Sequence, residues 1–256
     1  MTTSPDNGIA IVTGAGGGLG RALAVELMAR GMAVAGVGRD AAALAQTAGQ
    51  GGGRFVALVA DVADPAAVEA AFARLDAGGL VPRILINNAA VYDHADFLTA
   101  PPAYLDHAMA VNFGGTVTCT RAALQRMVQA GGRGRIVNVA TFADLAPLPG
   151  SMAYSVSKGA ARIFTRALVA DIGDRLPDIV VNDWIPGALA TRMGIAEGIA
   201  PETAARWGAA LALWHDRSLQ GVTFERDREV IASRSLKRRI KDRLLFKPAP
   251  VARRLA

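Results

Sequence analysis

The segment NVATFADLAPLPGSMAYSVSKGA (138–160) holds a phenol, an ammonium and a hydroxyl at spacings that permit proton transfer. Lys158 follows Tyr154 by four residues, and Thr141 precedes it by thirteen. A free phenol titrates near ~10, too high for a base at neutral pH. On a helix an i,i+4 neighbour lies alongside, and a positive charge there stabilises the phenolate. The Thr141 hydroxyl donates and accepts, so it can orient an oxygen held against Tyr154. Lysine is scarce in this chain: Lys237, Lys241 and Lys247 crowd the last twenty residues, and Lys158 is the only other one. A rigid guanidinium does not replace the three rotating donors of an ammonium, which gives that lone lysine among arginines a chemical reason.

Placing these groups requires a scaffold. Short β-branched runs alternate with helical ones, the pattern of a parallel sheet with crossover helices. Strands are expected at 9–13, 32–38, 54–61, 83–90, 134–141 and 178–187. Helices are expected at about 19–30, 64–75, 102–130 and 151–175, and Asp64-Pro65 is a strong start signal for the second. With 256 residues, 52% hydrophobic composition and 28 glycines, the chain reads as a single α/β domain. No apolar run reaches the ~18 residues that span a bilayer. Its one cysteine, Cys119, reads as a buried core thiol in a reducing cytoplasm, and no metal-ligand spacing occurs.

Between the first strand and first helix lies TGAGGGLG (13–20). There the backbone N–H groups and the positive helix end favour a pyrophosphate. Its spacing, Gly14-x-x-x-Gly18-x-Gly20, matches neither the common dinucleotide fingerprint nor the P-loop. Asp61 and the small residues of NNAA (87–90) end the third and fourth strands, where ligands of open α/β sheets bind.

Taken together these motifs resemble the short-chain dehydrogenase/reductase family. TGxxxGxG stands at Thr13–Gly20, the NNAG segment at Asn87–Ala90 and N-x-x-G at Asn112–Gly115. YxxxK stands at Tyr154–Lys158 and the Pro-Gly turn at Pro186–Gly187, all in family order over about residues 8–222. The resemblance implies a doubly wound, Rossmann-type parallel sheet of seven strands with helices on both faces. It also implies hydride transfer between a nicotinamide and a ketone or secondary alcohol, with Asn112, Thr141, Tyr154 and Lys158 at the catalytic positions. Asn112 also reads as an amide bonding across the core. The cofactor would contact Gly14, Gly16, Gly17, Gly18, Leu19, Gly20, Arg39, Asp61, Val62, Asn88, Ala89, Ala90, Tyr154, Lys158, Pro186, Gly187 and Thr191.

Three departures qualify the match. Threonine stands at the family's serine position, keeping the hydroxyl but adding a methyl that narrows the pocket. Ala90 replaces a glycine, and the family's Asp-Gly-Gly close is missing after Gly221. Around GVGRD (36–40) the register puts Gly38 at the strand end and Arg39 next, which suits NADP; a strand two residues longer would bring in Asp40 and suit NAD. Tyr92, His94, Phe142, Met152, Trp184 and Met193 are expected to line a mostly apolar substrate pocket, with Phe97, Leu145 and Trp207. His94 also reads as a loop-surface residue, and 188–207 as a mobile lid. The +6 net charge is uneven, because nine Lys/Arg face one acid between Arg234 and Arg254. This basic C-terminal extension, from about residue 226, could pack as a helix with Leu236, Ile240 and Leu244 in a stripe, or touch an anionic surface. Specific nucleic-acid binding is not expected. A homodimer or homotetramer is expected, and a dinucleotide-binding regulatory or scaffold protein with weak or lost catalysis is the alternative function.

Overall fold

The computed structural model describes residues 8–52, 54–231 and 251–255. Element order is β1 (Gly8–Thr13), α1 (Gly18–Ala29), β2 (Ala33–Gly38), α2 (Ala41–Gly49), β3 (Phe55–Val59), α3 (Pro65–Ala77) and β4 (Val81–Asn87). There follow α4 (Ala103–Ala108), a π-helical turn (Met109–Gly114), α5 (Gly115–Gln129), β5 (Gly134–Val139) and α6 (Met152–Ile172). The remainder is β6 (Ile179–Ile185), α7 (Pro201–Leu213), β7 (Thr223–Glu225) and β8 (Arg228–Glu229).

The strands form one sheet in the order β3-β2-β1-β4-β5-β6-β7-β8. All neighbours are parallel except β7 and β8, a short antiparallel hairpin that makes eight strands where seven were expected. Strand order reverses between β1 and β4, and in open α/β sheets the ligand crevice lies at the carboxyl ends of such a switch point. Helices cover both faces. Ala10, Val12, Ile84, Ile86, Val137 and Val180 pack on the side of α1 and α7. Ile11, Leu85, Ile136 and Val181 face α3 and α5 on the other. Such two-sided burial explains why the strands read as continuous apolar runs.

Asp64 caps α3 as expected, accepting from the N–H groups of Ala66 (2.9 Å) and Ala67 (3.2 Å). Cys119 is buried, and burial pushes its thiol up to about 12, an inert core group. The supposed lid is half core: from Pro201 it becomes α7, whose Ala204, Ala205, Ala209 and Ala212 are fully buried. Residues 188–200 remain a loop, pinned by Ile199 N–H to Ala188 O (2.8 Å) and Ala190 N–H to Ile199 O (2.9 Å).

Part of the supposed C-terminal extension belongs to the sheet. Arg228 and Glu229 form β8, and Arg253 pairs with Glu229 at 2.7 Å while Leu255 is buried. The expected amphipathic helix with Leu236, Ile240 and Leu244, and the basic cluster around it, lie outside the described residues. Among the described residues no helix is long and apolar enough to cross a membrane, and no acidic, histidine or cysteine group could hold a metal.

Candidate active site

The crevice is tied together at Thr13, the last residue of β1. Its hydroxyl accepts from the N–H groups of Asn88 (2.9 Å) and Ala89 (3.0 Å), and Asn88 Nδ2 donates to Thr13 O at 2.9 Å. These bonds draw the end of β4 against the glycine loop. A Cβ on Gly20 would lie 2.1 Å from Gly14 O and 2.6 Å from Asn88 Nδ2, so only glycine lets α1 begin this close. Gly17 faces open space, and no side chain or first-turn acid caps α1. Its first N–H groups are thus free for an anion, and Gly14, Gly16, Gly17, Gly18, Leu19 and Gly20 fit the diphosphate of a dinucleotide. Thr191 comes over this loop from the 188–200 segment, its methyl 3.5 Å from where a Gly18 Cβ would be.

At the adenosine end β2 stops at Gly38, in the register expected from sequence. Arg39 is exposed, with Asp61 Oδ2 3.7 Å from its Nη1. Asp61 also accepts from Ala63 N–H at 2.9 Å, and Val62 is buried beside Gly115. Asp40 caps α2 by accepting from Ala43 N–H at 3.0 Å.

At the other end of the crevice Tyr154, Thr141 and Lys158 converge. Burial pushes the Tyr154 phenol above its ordinary range, and a hydrogen bond with Thr141 opposes that rise. The Lys158 side chain is buried, donates from Nζ to Val139 O at 2.9 Å, and sits 5.9 Å from the Tyr154 ring centroid. Desolvation lowers its ammonium to about 8, against the pull of Asp183 and Asp144. Asn112 lies on the π-helical turn. It donates to Val91 O (3.0 Å) and Ser157 Oγ (2.9 Å) and accepts from Val91 N–H (2.8 Å), which matches the cross-core reading of this amide. Ala90 is half-buried beside that braced turn.

Tyr92 packs tilted against Tyr154 with centroids 4.4 Å apart, and His94 packs tilted against Tyr92 at 4.5 Å from an exposed loop. Met152 is half-buried on the first turn of α6, while Phe97, Phe142, Leu145 and Met193 are exposed apolar side chains of the surrounding loops. Trp184 does not belong to the pocket. Strand alternation turns it to the opposite face of β6, where it is fully buried against Leu23 and Gly208 and its Nε1 donates to Arg226 O at 3.0 Å. Trp207 packs against that same core. Pro186 is buried, and Gly187 turns with φ 92° beside Ile199.

The short chain dehydrogenase profile matches residues 8–200. The chain is a short-chain dehydrogenase. A protein named "Probable oxidoreductase EphD" from Mycobacterium tuberculosis is 37% identical over 196 residues; the match covers 75% of this chain but only 33% of that protein, so the chain spans about a third of its length. The 2-(R)-hydroxypropyl-CoM dehydrogenase of Xanthobacter autotrophicus is 36% identical over 193 residues, covering 72% and 76%. A crystal structure from Agrobacterium tumefaciens, described as a "putative gluconate dehydrogenase", superposes with a TM-score of 0.78 at 26% identity, over 85% of this chain and 93% of that one. The relatives it matches are named as oxidoreductases and dehydrogenases.

This short-chain dehydrogenase has charged groups behind its Tyr-Lys pair that the motifs did not indicate. Asp183 on β6 accepts from Thr165 Oγ1 at 2.7 Å, and burial raises its carboxyl to about 6. Asp144 and Arg162 form a buried ion pair beneath Thr141. One signal was legible: Arg162 repeats the four-residue step from Tyr154 to Lys158.

Proposed function

We propose that the chain reduces a ketone of a moderately apolar small molecule with NADPH, Tyr154 donating the proton. The observation that carries this reading is the half-buried Tyr154 phenol, packed against Tyr92 at 4.4 Å between centroids, beside Thr141 and with Lys158 Nζ 5.9 Å from its ring. A neutral phenol at neutral pH is a proton donor, and an acid is what a carbonyl oxygen needs as it becomes an alkoxide. When bound, the nicotinamide supplies the hydride. Thr141 orients the carbonyl oxygen toward Tyr154, and Lys158 supplies positive charge to the phenolate left behind. Asn112 keeps the loop after β4 against α6 through Val91 and Ser157. Pro186 and Gly187 turn the chain beside the nicotinamide, and Tyr92, His94, Met152, Phe142 and Met193 surround the substrate.

Preference for NADPH follows from the end of β2. Asp40, the carboxylate that would bond a ribose diol and repel a 2′-phosphate, caps α2 through one of its oxygens, while the exposed Arg39 guanidinium, 3.7 Å from Asp61, stands at the end of β2 where it would meet that phosphate. The apolar loops argue for a substrate without a strong charge. Self-association as a dimer or tetramer belongs to the same reading and is checked by light scattering.

The test is NADPH consumption across a panel of aliphatic, aromatic and β-keto-ester carbonyls, for the chain and for Tyr154→Phe. Turnover lost in the variant, with NADPH still raising the melting temperature of both proteins, supports the reading. Binding without turnover in either protein would instead favour a dinucleotide-binding protein without catalysis.

A further inference from the structure

The loop from Thr141 to Ser151 carries the hydroxyl that meets Tyr154, yet most of it is exposed. Such a loop needs an anchor to hold one hydroxyl in register with a helix. The anchor is a buried ion pair. Asp144 and Arg162 have side chains only 4% and 9% exposed, and Arg162 Nη2 donates to Asp144 Oδ1 at 2.9 Å while its Nε faces Oδ2. The same Nη2 donates to Thr141 O. Arg162 stands one helical turn beyond Lys158, so Tyr154, Lys158 and Arg162 line one stripe of α6.

Resting on the reading of Tyr154 as proton donor, we propose that Asp144 and Arg162 are positioning residues for the reaction. Arg162 fixes the Thr141 backbone, and Asp144 supplies a buried anion that keeps the Tyr154 phenol and the Lys158 ammonium protonated. Burial keeps water from screening this anion, and the Arg162 guanidinium paired with it offsets only part of its field. The charged and titratable groups around Asp144 are Tyr154, Lys158 and Arg162 on α6, Tyr92 after β4, and Asp183 on β6 with its neighbour Arg166. Asp144 holds both Tyr154 and Lys158 toward their protonated forms, and Asp183 adds to this at Lys158 alone. A carboxylate acting on both members of the pair gives one substitution a signed effect on each.

The test follows Tyr154 directly. The chain has three tyrosines, Tyr92, Tyr104 and Tyr154, so ring-labelled tyrosine NMR gives three signals and Tyr154→Phe assigns one. Asp144→Asn keeps an acceptor for Arg162 and removes the charge; the Tyr154 midpoint should fall by about one pH unit. Asp144→Asn combined with Arg162→Gln leaves no unpaired buried charge, so it should be less destabilised than the single variant. Its midpoint should still fall, but by less than in the single variant, because losing the Arg162 anchor on Thr141 pushes the other way. An unchanged or raised midpoint in the folded variant would overturn the proposal, because a merely structural pair does not move a tyrosine titration. No turnover is needed, so this outcome is separate from that of the carbonyl panel.

Discussion

Lys158→Met is expected to make the protein more stable at neutral pH while it abolishes reduction. The buried ammonium titrates at about 8, against 10.5 for an ordinary lysine. Because the folded value is the lower one, the unfolded chain holds this proton more tightly, and the penalty is fully present below pH ~8. It fades as pH rises toward the unfolded value. The gap corresponds to about 3 kcal/mol at pH 7 and under about 1 kcal/mol at pH 10. Methionine keeps most of the stem packing but leaves Val139 O without its 2.9 Å donor, a loss of about 1 kcal/mol. The net gain at pH 7 is therefore about 2 kcal/mol, or roughly 5 °C in melting temperature for a chain of this size. Urea unfolding of both proteins at pH 7 and pH 10 measures it. The variant should lead at pH 7, and its lead should vanish or reverse at pH 10. If the difference between the two proteins is the same at both pH values, the strained ammonium is not there and the electrostatic account of the site fails.

Other outcomes follow from single contacts. Asp183 is raised to about 6, so its ionisation costs stability as pH rises through that value; Asp183→Asn should stabilise the protein at pH 7 by about 1–2 kcal/mol and flatten its stability between pH 4 and 6 in chemical denaturation. Arg39→Glu should reverse the cofactor preference, changing the ratio of NADPH to NADH dissociation constants from thermal-shift titrations by about tenfold or more. Gly20→Ala places a methyl 2.1 Å from Gly14 O and should abolish stabilisation by either dinucleotide.

Most of the scaffold could be read in advance because buried parallel strands and an Asp-Pro helix start leave strong local signals. Where the reading failed, tertiary context decided. The segment AAALAQTAG (41–49) lacks a clear apolar stripe; its helix shows only in Asp40, a cap that was weighed as a cofactor ligand. Trp184 was placed among the pocket residues, although alternation from Asp183, on the helix α6 side, turns it to the far face. The lid extended too far because the alanines of α7 bury a face without large residues to announce it. In the site, Tyr154 and Lys158 were legible from spacing and the scarcity of lysine. The Asp144–Arg162 pair was not, since an ion pair between a loop and a helix eighteen residues apart leaves no periodicity. The π-helical turn that aims Asn112 at Val91 and Ser157 left no sequence signal either.

Deuterium transfer tests the central claim most directly. NADPH deuterated at the reactive ring carbon is incubated with the chain and a panel of ketones, and the alcohols are analysed by mass spectrometry. Deuterium on the carbinol carbon with the chain, and none with Tyr154→Phe that still binds NADPH, is the predicted result. Equal transfer by both proteins would contradict the role given to Tyr154.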